Sequence, residues 1–297
     1  MGVLLGAVAY DPKVVTIWDG FRAWLRSSGL DFDYVLYSNY ERQVRDLVDG
    51  RIDVAWNSPL AWVRARRLAA FRGVSLTPVT MRDTDCDLSS VIVVRSDSPV
   101  TSLADLAGRV VATGAVDSPQ ATLLPLSLLR SAGLAPGTDV AVRRFDVGVG
   151  LHGDHVGGER DAARALFTAD QAERADAACL IDSNLLLFGR EGVLPSGSVR
   201  VLAQTPVYDH CTMTAGPSAG AAGDGVDSSG NSDISRLGGL LRGMDYADAA
   251  LRPLLDMEGL KEWRPPRLSG YAQLERAVDE VGFYDENGQV TAADYWP

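Results

Sequence analysis

Hydrophobic positions along the chain alternate between a two-residue and a 3.6-residue period, and that alternation predicts successive βα units. Val3–Ala9 is a short apolar run of strand character. Lys13–Ser28 then carries Val14, Ile17, Trp18, Phe21, Trp24 and Leu25 at helical spacing, and Gly29 supplies a stop. Phe32–Tyr37 alternates as a strand, Asn39 is placed to cap a helix running to Val48, and Ile52–Trp56 is the next strand. Asn57-Ser-Pro opens another helix, with Pro59 in the first turn, where its missing N–H costs nothing.

The same reading places further strands at Leu88–Arg95, Arg109–Thr113, Val140–Phe145, Ala177–Ile181 and Val199–Gln204. Helices are expected within Thr101–Gly108, over Ser118–Gly133, and at Ile234–Arg242, Tyr246–Leu255 and Tyr271–Val281. Residues 218–233 are rich in Gly, Ser and Asp and are expected to form a flexible surface loop. Strands alternating with helices predict an α/β fold built on mostly parallel sheet.

Composition narrows the function classes. The chain has 297 residues, 46% hydrophobic and 23% charged, as in an ordinary globular protein. A net charge of −11 and the lack of a basic stripe argue against nucleic-acid or anionic-membrane partners. Arg64, Arg66 and Arg67 form the one dense basic group and read as a solvated helix face. A closed site can still bind an anion through local amides and dipoles. Cys86, Cys179 and Cys211 form no C-x-x-C pair, so neither a disulfide framework nor a structural zinc site is indicated. MGVLLGAVAYDP reads as a first strand rather than a signal peptide, and no window approaches the roughly 18 apolar residues of a membrane span. The expected location is cytoplasmic as written, and periplasmic or extracytoplasmic if a leader has been removed.

Candidate chemistry concentrates in GLHGDHVGGERDAARAL, residues 150–166. His152 and His155 stand three apart there, and a metal would need further donors from Asp154, Glu159, Asp182 or His210. The anion-donor reading of His155 is preferred, and no metal and no cofactor are assigned. The surrounding glycines match neither nucleotide-loop pattern, and no G-x-S-x-G elbow surrounds a serine. Asp182 follows a predicted strand at the carboxyl end where α/β ligands bind. Trp18, Trp56 and Trp62 read most simply as core.

Several phrases in order resemble one family. YERQVRDLVDGRIDVAWNSPLAWV (40–63) is similar to the first-lobe helix–strand–helix of type II periplasmic binding proteins. VIVVRSDSPVTSLADLAGRVVATG (91–114) resembles the crossover strand and the opening of a second lobe. DSPQATLLPLSLLRSAGLAP (117–136) resembles a ligand-facing helix start, and the H-…-D run from His155 to Asp182 and GLKEWRPPRLSGYAQL complete the order. Together they look like the PhnD type of phosphonate/phosphate ABC-transporter substrate-binding protein.

That resemblance implies a two-lobed fold, with lobe one at 1–86 plus 207–297 and lobe two at 87–206. It implies hinge closure on a small anionic ligand such as a phosphonate, phosphate ester or carboxylate, and an ABC permease as partner if the chain is exported. Tyr40, Asn57, Ser58, Ser118, Gln120, His155 and Asp182 are the implied contacts, and Tyr208-Asp209-His210 is placed at the cleft rim. The family's serine-rich turn is here Ser118-Pro119-Gln120, with one hydroxyl fewer and an amide added. The alternative is a cytosolic enzyme on the same fold, similar to chorismate dehydratase or the thiamine pyrimidine synthase. His155 and Asp182 would then be its acid/base pair.

Overall fold

The computed structural model describes residues 2–146, 155–217 and 232–295, with His155 given by its backbone alone. Two sheets organise them. The first has six strands: β1 (Val3–Val8), β2 (Phe32–Tyr37), β3 (Val54–Asn57), β4 (Thr77–Arg82), β10 (Thr212–Ala215) and β11 (Trp263–Arg264). They lie in the order β11-β4-β10-β3-β1-β2. The second has five: β5 (Ser90–Arg95), β6 (Val110–Thr113), β7 (Ala141–Arg144), β8 (Ala177–Ile181) and β9 (Val199–Gln204), in the order β7-β6-β8-β5-β9. Parallel pairing joins β1 to β2 and β3, and β6 to β7 and β8, while β5 and β10 run antiparallel to their neighbours.

Helices α1 (Lys13–Ser27), α2 (Tyr40–Val48) and α3 (Pro59–Arg72) serve the first sheet. Helices α4 (Leu124–Ser131), α5 (His155–Ala165) and α6 (Asp182–Arg190) serve the second. The chain closes with α7 (Asp233–Arg242), α8 (Arg252–Glu258) and α9 (Ala272–Val281). The apolar face of α1 places Val14, Ile17, Trp18, Phe21 and Leu25 in a core with Trp56 and Trp263, as its periodicity predicts. The Asn39 side chain accepts from Arg42 N–H at 2.9 Å and so caps α2.

The chain passes between the sheets twice, and the two crossings touch. Leu88 and Tyr208 exchange backbone hydrogen bonds of 2.9 and 2.8 Å. Arg267 binds both oxygens of Asp209, at 2.7 and 2.5 Å, and reaches Asp87 at 2.7 Å. One guanidinium therefore ties together the outgoing and the returning segment.

Glycine permits two close approaches on the second sheet. A Cβ at Gly158 of α5 would stand 2.5 Å from the Phe145 carbonyl oxygen, and one at Gly114 would stand 2.9 Å from Ala121 Cβ. These gaps let α5 and the π-helical turn Pro119–Leu123 press against the end of β6.

Some sequence expectations are corrected. The helix expected at Tyr246–Leu255 begins only at Arg252, because the Asp245 and Asp248 side chains accept from Ala247 and Ala250 N–H, each at 2.8 Å. Those local turns compete with helix at its expected start. Strands β4, β10 and β11 escaped the pattern. In β4 the signal is broken by Pro78, tolerated because the register with β10 shifts between Met213 and Thr214. Arg64 is not on a solvated face: it is buried, donating to the Glu41 and Gly288 carbonyls. Ser232 caps α7 and Asp233 begins it, so the expected loop stops short of both, and its residues 218–231 lie outside the described residues.

Candidate functional site

A cavity of about 380 Å³ opens where the two sheets face one another, lined by residues from both. The first-sheet side supplies Tyr10 and Asp11 after β1, Lys13 at the start of α1, and Tyr40 at the start of α2. It also supplies Trp56 on β3, Ser58 and Pro59 at the start of α3, and Arg82 at the end of β4. The second-sheet side supplies Pro119 and Gln120 on the π turn and Val156 on α5. His210 and Cys211 line it from the returning crossing.

Helix beginnings thus dominate the wall, which follows from the topology. In parallel α/β sheet each strand ends where the next helix starts, so free N–H groups gather at the carboxyl edge. Ser58 Oγ accepts from Ala61 N–H at 3.2 Å and leaves its own proton available to the cavity. Asp11 accepts from Lys13 N–H at 2.8 Å at the start of α1.

Arg82 is one of the cations lining the cavity. Its guanidinium binds Asp85 through two bonds of 2.6 and 2.9 Å, lies 3.3 Å from Glu258 Oε1, and stacks 5.2 Å from the Trp56 ring centre. Burial alone would raise Asp85, but the Arg82 charge and hydrogen bonds, with His210, hold its carboxyl well below the usual carboxylate range. Burial pushes Glu258 up to about 7 against the pull of Arg82. Burial works against the His210 imidazolium, yet the adjacent Cys211 and Asp85 outweigh it and push it up to about 10. Burial also raises the Tyr10 and Tyr40 phenols, so both are neutral hydroxyl donors at neutral pH.

Asp85, His210 and Cys211 offer ligand atoms within 4.8 Å of one another, the one such metal-type cluster among the described residues. Arg82 occupies both Asp85 oxygens, and His210 Nδ1 already faces Cys211 Sγ at 3.2 Å. A guanidinium bound to the only carboxylate of the three opposes a second cation, so the donor set fits a buried ion-pair network better than a metal.

The structure brings some of the sequence-predicted residues together and separates others. Tyr40, Ser58 and Gln120 line the cavity. Asn57 does not: it is fully buried, and its Oδ1 accepts from Gln43 Nε2 at 3.1 Å. Ser118 is fully buried too and caps the π turn through Ala121 N–H at 3.1 Å. Asp182 is the first residue of α6 and accepts from Ser89 Oγ at 2.8 Å, away from the cavity wall. His155 begins α5 next to the wall residue Val156, but its side chain, like all of His152, lies outside the described residues.

Trp56 proves to be wall as well as core. Arg82, Tyr10, Asp11, Lys13 and Cys211 also line the cavity and were not among the residues expected there. The carboxyl-end rule applied to β1 points to Tyr10 and Asp11. Nothing local marks Arg82, since its strand was itself unread.

Known proteins share this architecture. A model of the family described as ABC transporter, phosphonate, periplasmic substrate-binding protein matches residues 7–271. No curated protein sequence matches the chain. PhnD1 from Prochlorococcus marinus, solved with methylphosphonate, superposes with a TM-score of 0.65 at 19% identity, covering 94% of this chain and 98% of that one. A Xanthomonas citri protein bound to ATP gives 0.64 at 19% identity, covering 94% and 98%. The periplasmic aliphatic sulphonate binding protein SsuA from Escherichia coli gives 0.55 at 20% identity, covering 94% and 91%. At these identities the structures establish a shared fold, the two-lobed type II binding-protein architecture. By the match over most of its length, the chain belongs to the phosphonate-type periplasmic substrate-binding proteins of ABC transporters.

Proposed function

We propose that this protein captures a small tetrahedral oxyanion of the phosphonate or sulfonate class between two lobes, 1–86 plus 207–297 and 87–206, and presents it to a permease. The observation that carries the reading is the convergence of helix starts from both sheets on one cavity that also holds Arg82. Ser58, Tyr40 and Tyr10 add neutral hydroxyls to those amides, and Trp56 offers an apolar face to the ligand's carbon substituent. Arg82 is flanked by Asp85 and Glu258, and Lys13 and His210 share the cavity wall with Asp11, so the site's cations and carboxylates nearly offset one another. That balance favours a singly charged anion over a more highly charged one.

The family is periplasmic, which supports the extracytoplasmic of the two expected locations over the cytoplasmic one. Among the described residues no helix is long and apolar enough to cross a membrane, and the ABC-transporter family supports a permease as the partner that receives the ligand.

Titration calorimetry with methylphosphonate, methanesulfonate, phosphate and benzoate tests the reading. One of the first two is expected to bind in the micromolar range or tighter, with loss on Arg82→Met. Binding of benzoate alone, unaffected by that substitution, would refute it.

A further inference from the structure

Gln120 reaches the cavity wall from the π turn with 5% of its surface exposed. Behind it stands Glu159 of α5, fully buried. Glu159 Oε2 accepts from Ile181 N–H at 2.8 Å and from Asn184 Nδ2 at 3.0 Å, which fixes the carboxyl plane. Its other oxygen, Oε1, has no hydrogen-bond partner among the described residues, and neither has Gln120 Oε1. The Gln120 side chain lies within interaction distance of this carboxyl. A glutamine amide has the same outline with either end forward, so its buried neighbour decides whether donor or acceptor faces outward. Leaving either buried oxygen unpaired is costly, and one hydrogen bond between the two side chains removes that cost.

We propose that Glu159 is the positioning residue for Gln120 and makes the pair a reader of the proton on the bound oxyanion. An ionised Glu159 accepts from the Gln120 amide nitrogen and turns the carbonyl to the cavity, where it can accept from the P–OH of a singly protonated phosphonate. A protonated Glu159 donates to the Gln120 carbonyl instead and turns the NH₂ to the cavity, which suits a sulfonate with no proton to give. This rests on the reading of the cavity as an oxyanion site.

Around the Glu159 carboxyl stand Cys179 on β8 and Tyr208 and His210 on the returning crossing. Asn184 on α6 is its neutral donor, Asp182 at the head of that helix is engaged by Ser89, and Arg160 on α5 is paired with Glu191 at 2.9 Å. Burial outweighs the hydrogen bonds and pushes Glu159 up to about 7, so both protonation states are accessible near neutral pH.

The test is calorimetry on the full chain with methylphosphonate and methanesulfonate, in wild type, Glu159→Gln, Gln120→Ala and the double variant. In Glu159→Gln the new amide oxygen keeps the bonds from Ile181 and Asn184, and the new NH₂ donates to Gln120, so the variant mimics the protonated state. Methanesulfonate at about pH 8.5 is expected to tighten about tenfold, while methylphosphonate at about pH 7.5, where Glu159 is mostly ionised and part of the ligand still carries its proton, weakens severalfold. Both effects are expected to vanish in the Gln120→Ala background. Equal weakening of both anions, or effects that persist without Gln120, would mean a purely structural role and overturn the proposal alone. Failure of wild type to bind either anion would overturn the oxyanion reading and this proposal with it.

A second measurement needs no folded Glu159 variant. The Gln120 side-chain amide resonances of the wild-type protein, assigned by their loss in Gln120→Ala, are expected to titrate with a midpoint near about pH 7. A resonance that stays still from about pH 5.5 to about pH 8.5 would overturn the proposal.

Discussion

Arg82 Nη1 stands 3.3 Å from Oε1 of the buried Glu258, so this cation of the cavity wall already has a carboxylate competing for it. Asp85 holds the other side of the guanidinium. An incoming oxyanion therefore meets a partly neutralised charge, and Glu258 is the group whose removal should strengthen binding. Glu258→Gln is expected to raise oxyanion affinity by about three- to tenfold at pH values above about 7, measured by calorimetry. The sign follows from the raised Glu258: its negative charge appears as pH climbs through about 7, so wild-type affinity should fall over that range. The variant should lose that part of the fall, and an unchanged pH profile would show that Glu258 does not compete.

Arg267 ties Asp209 to Asp87 where the two crossings meet. The Asp209 side chain is 1% exposed, so Arg267→Ala leaves a buried carboxylate without its cation. With Arg267 itself 40% exposed, we expect a loss of roughly 1–3 kcal/mol rather than the full cost of breaking a buried pair. Thermal unfolding measures it. If lobe closure turns on these crossings, small-angle scattering should also show a smaller ligand-induced compaction in the variant.

The buried acids set a pH trend in stability. Burial is the leading cause for both Asp117, raised to about 8, and Glu159, raised to about 7. For a carboxyl raised on folding, the stabilisation is complete below its unfolded value and is lost as pH rises through its folded value. Melting temperature is expected to decline from about pH 5 to about pH 8.5, with a stability change of a few kcal/mol. Glu159→Gln should flatten part of the slope. A flat wild-type profile would contradict the assignment.

Gly158 tests the close packing of α5 on the second sheet. A methyl group there would meet the Phe145 backbone oxygen at 2.5 Å, and backbone cannot swing away as a side chain can. Gly158→Ala is expected to destabilise by about 1–3 kcal/mol and to displace α5 from the cavity, weakening ligand as well. Chemical denaturation and calorimetry on the same sample separate the two effects.

Wherever a local rule governed the backbone, the sequence alone determined the result. Period and capping residues placed α1, α2, α3 and most strands, because amphipathic spacing, Asn39 and Ser58 act within one or two turns. Motif order along the chain pointed to the family, and Tyr40, Ser58 and Gln120 line the cavity because they sit at helix starts. The tertiary structure alone decided the rest. Ser118 and Asp182 occupy equally plausible strand or helix ends, but capping and Ser89 engage them away from the cavity. Arg82 lines the cavity on a strand that the pattern left unmarked, held by nearby Asp85 but also by Glu258, 176 residues distant, which no local pattern encodes. Where a helix starts is a short-range property, whereas which starts face one cavity depends on how two sheets made from separated segments are brought together.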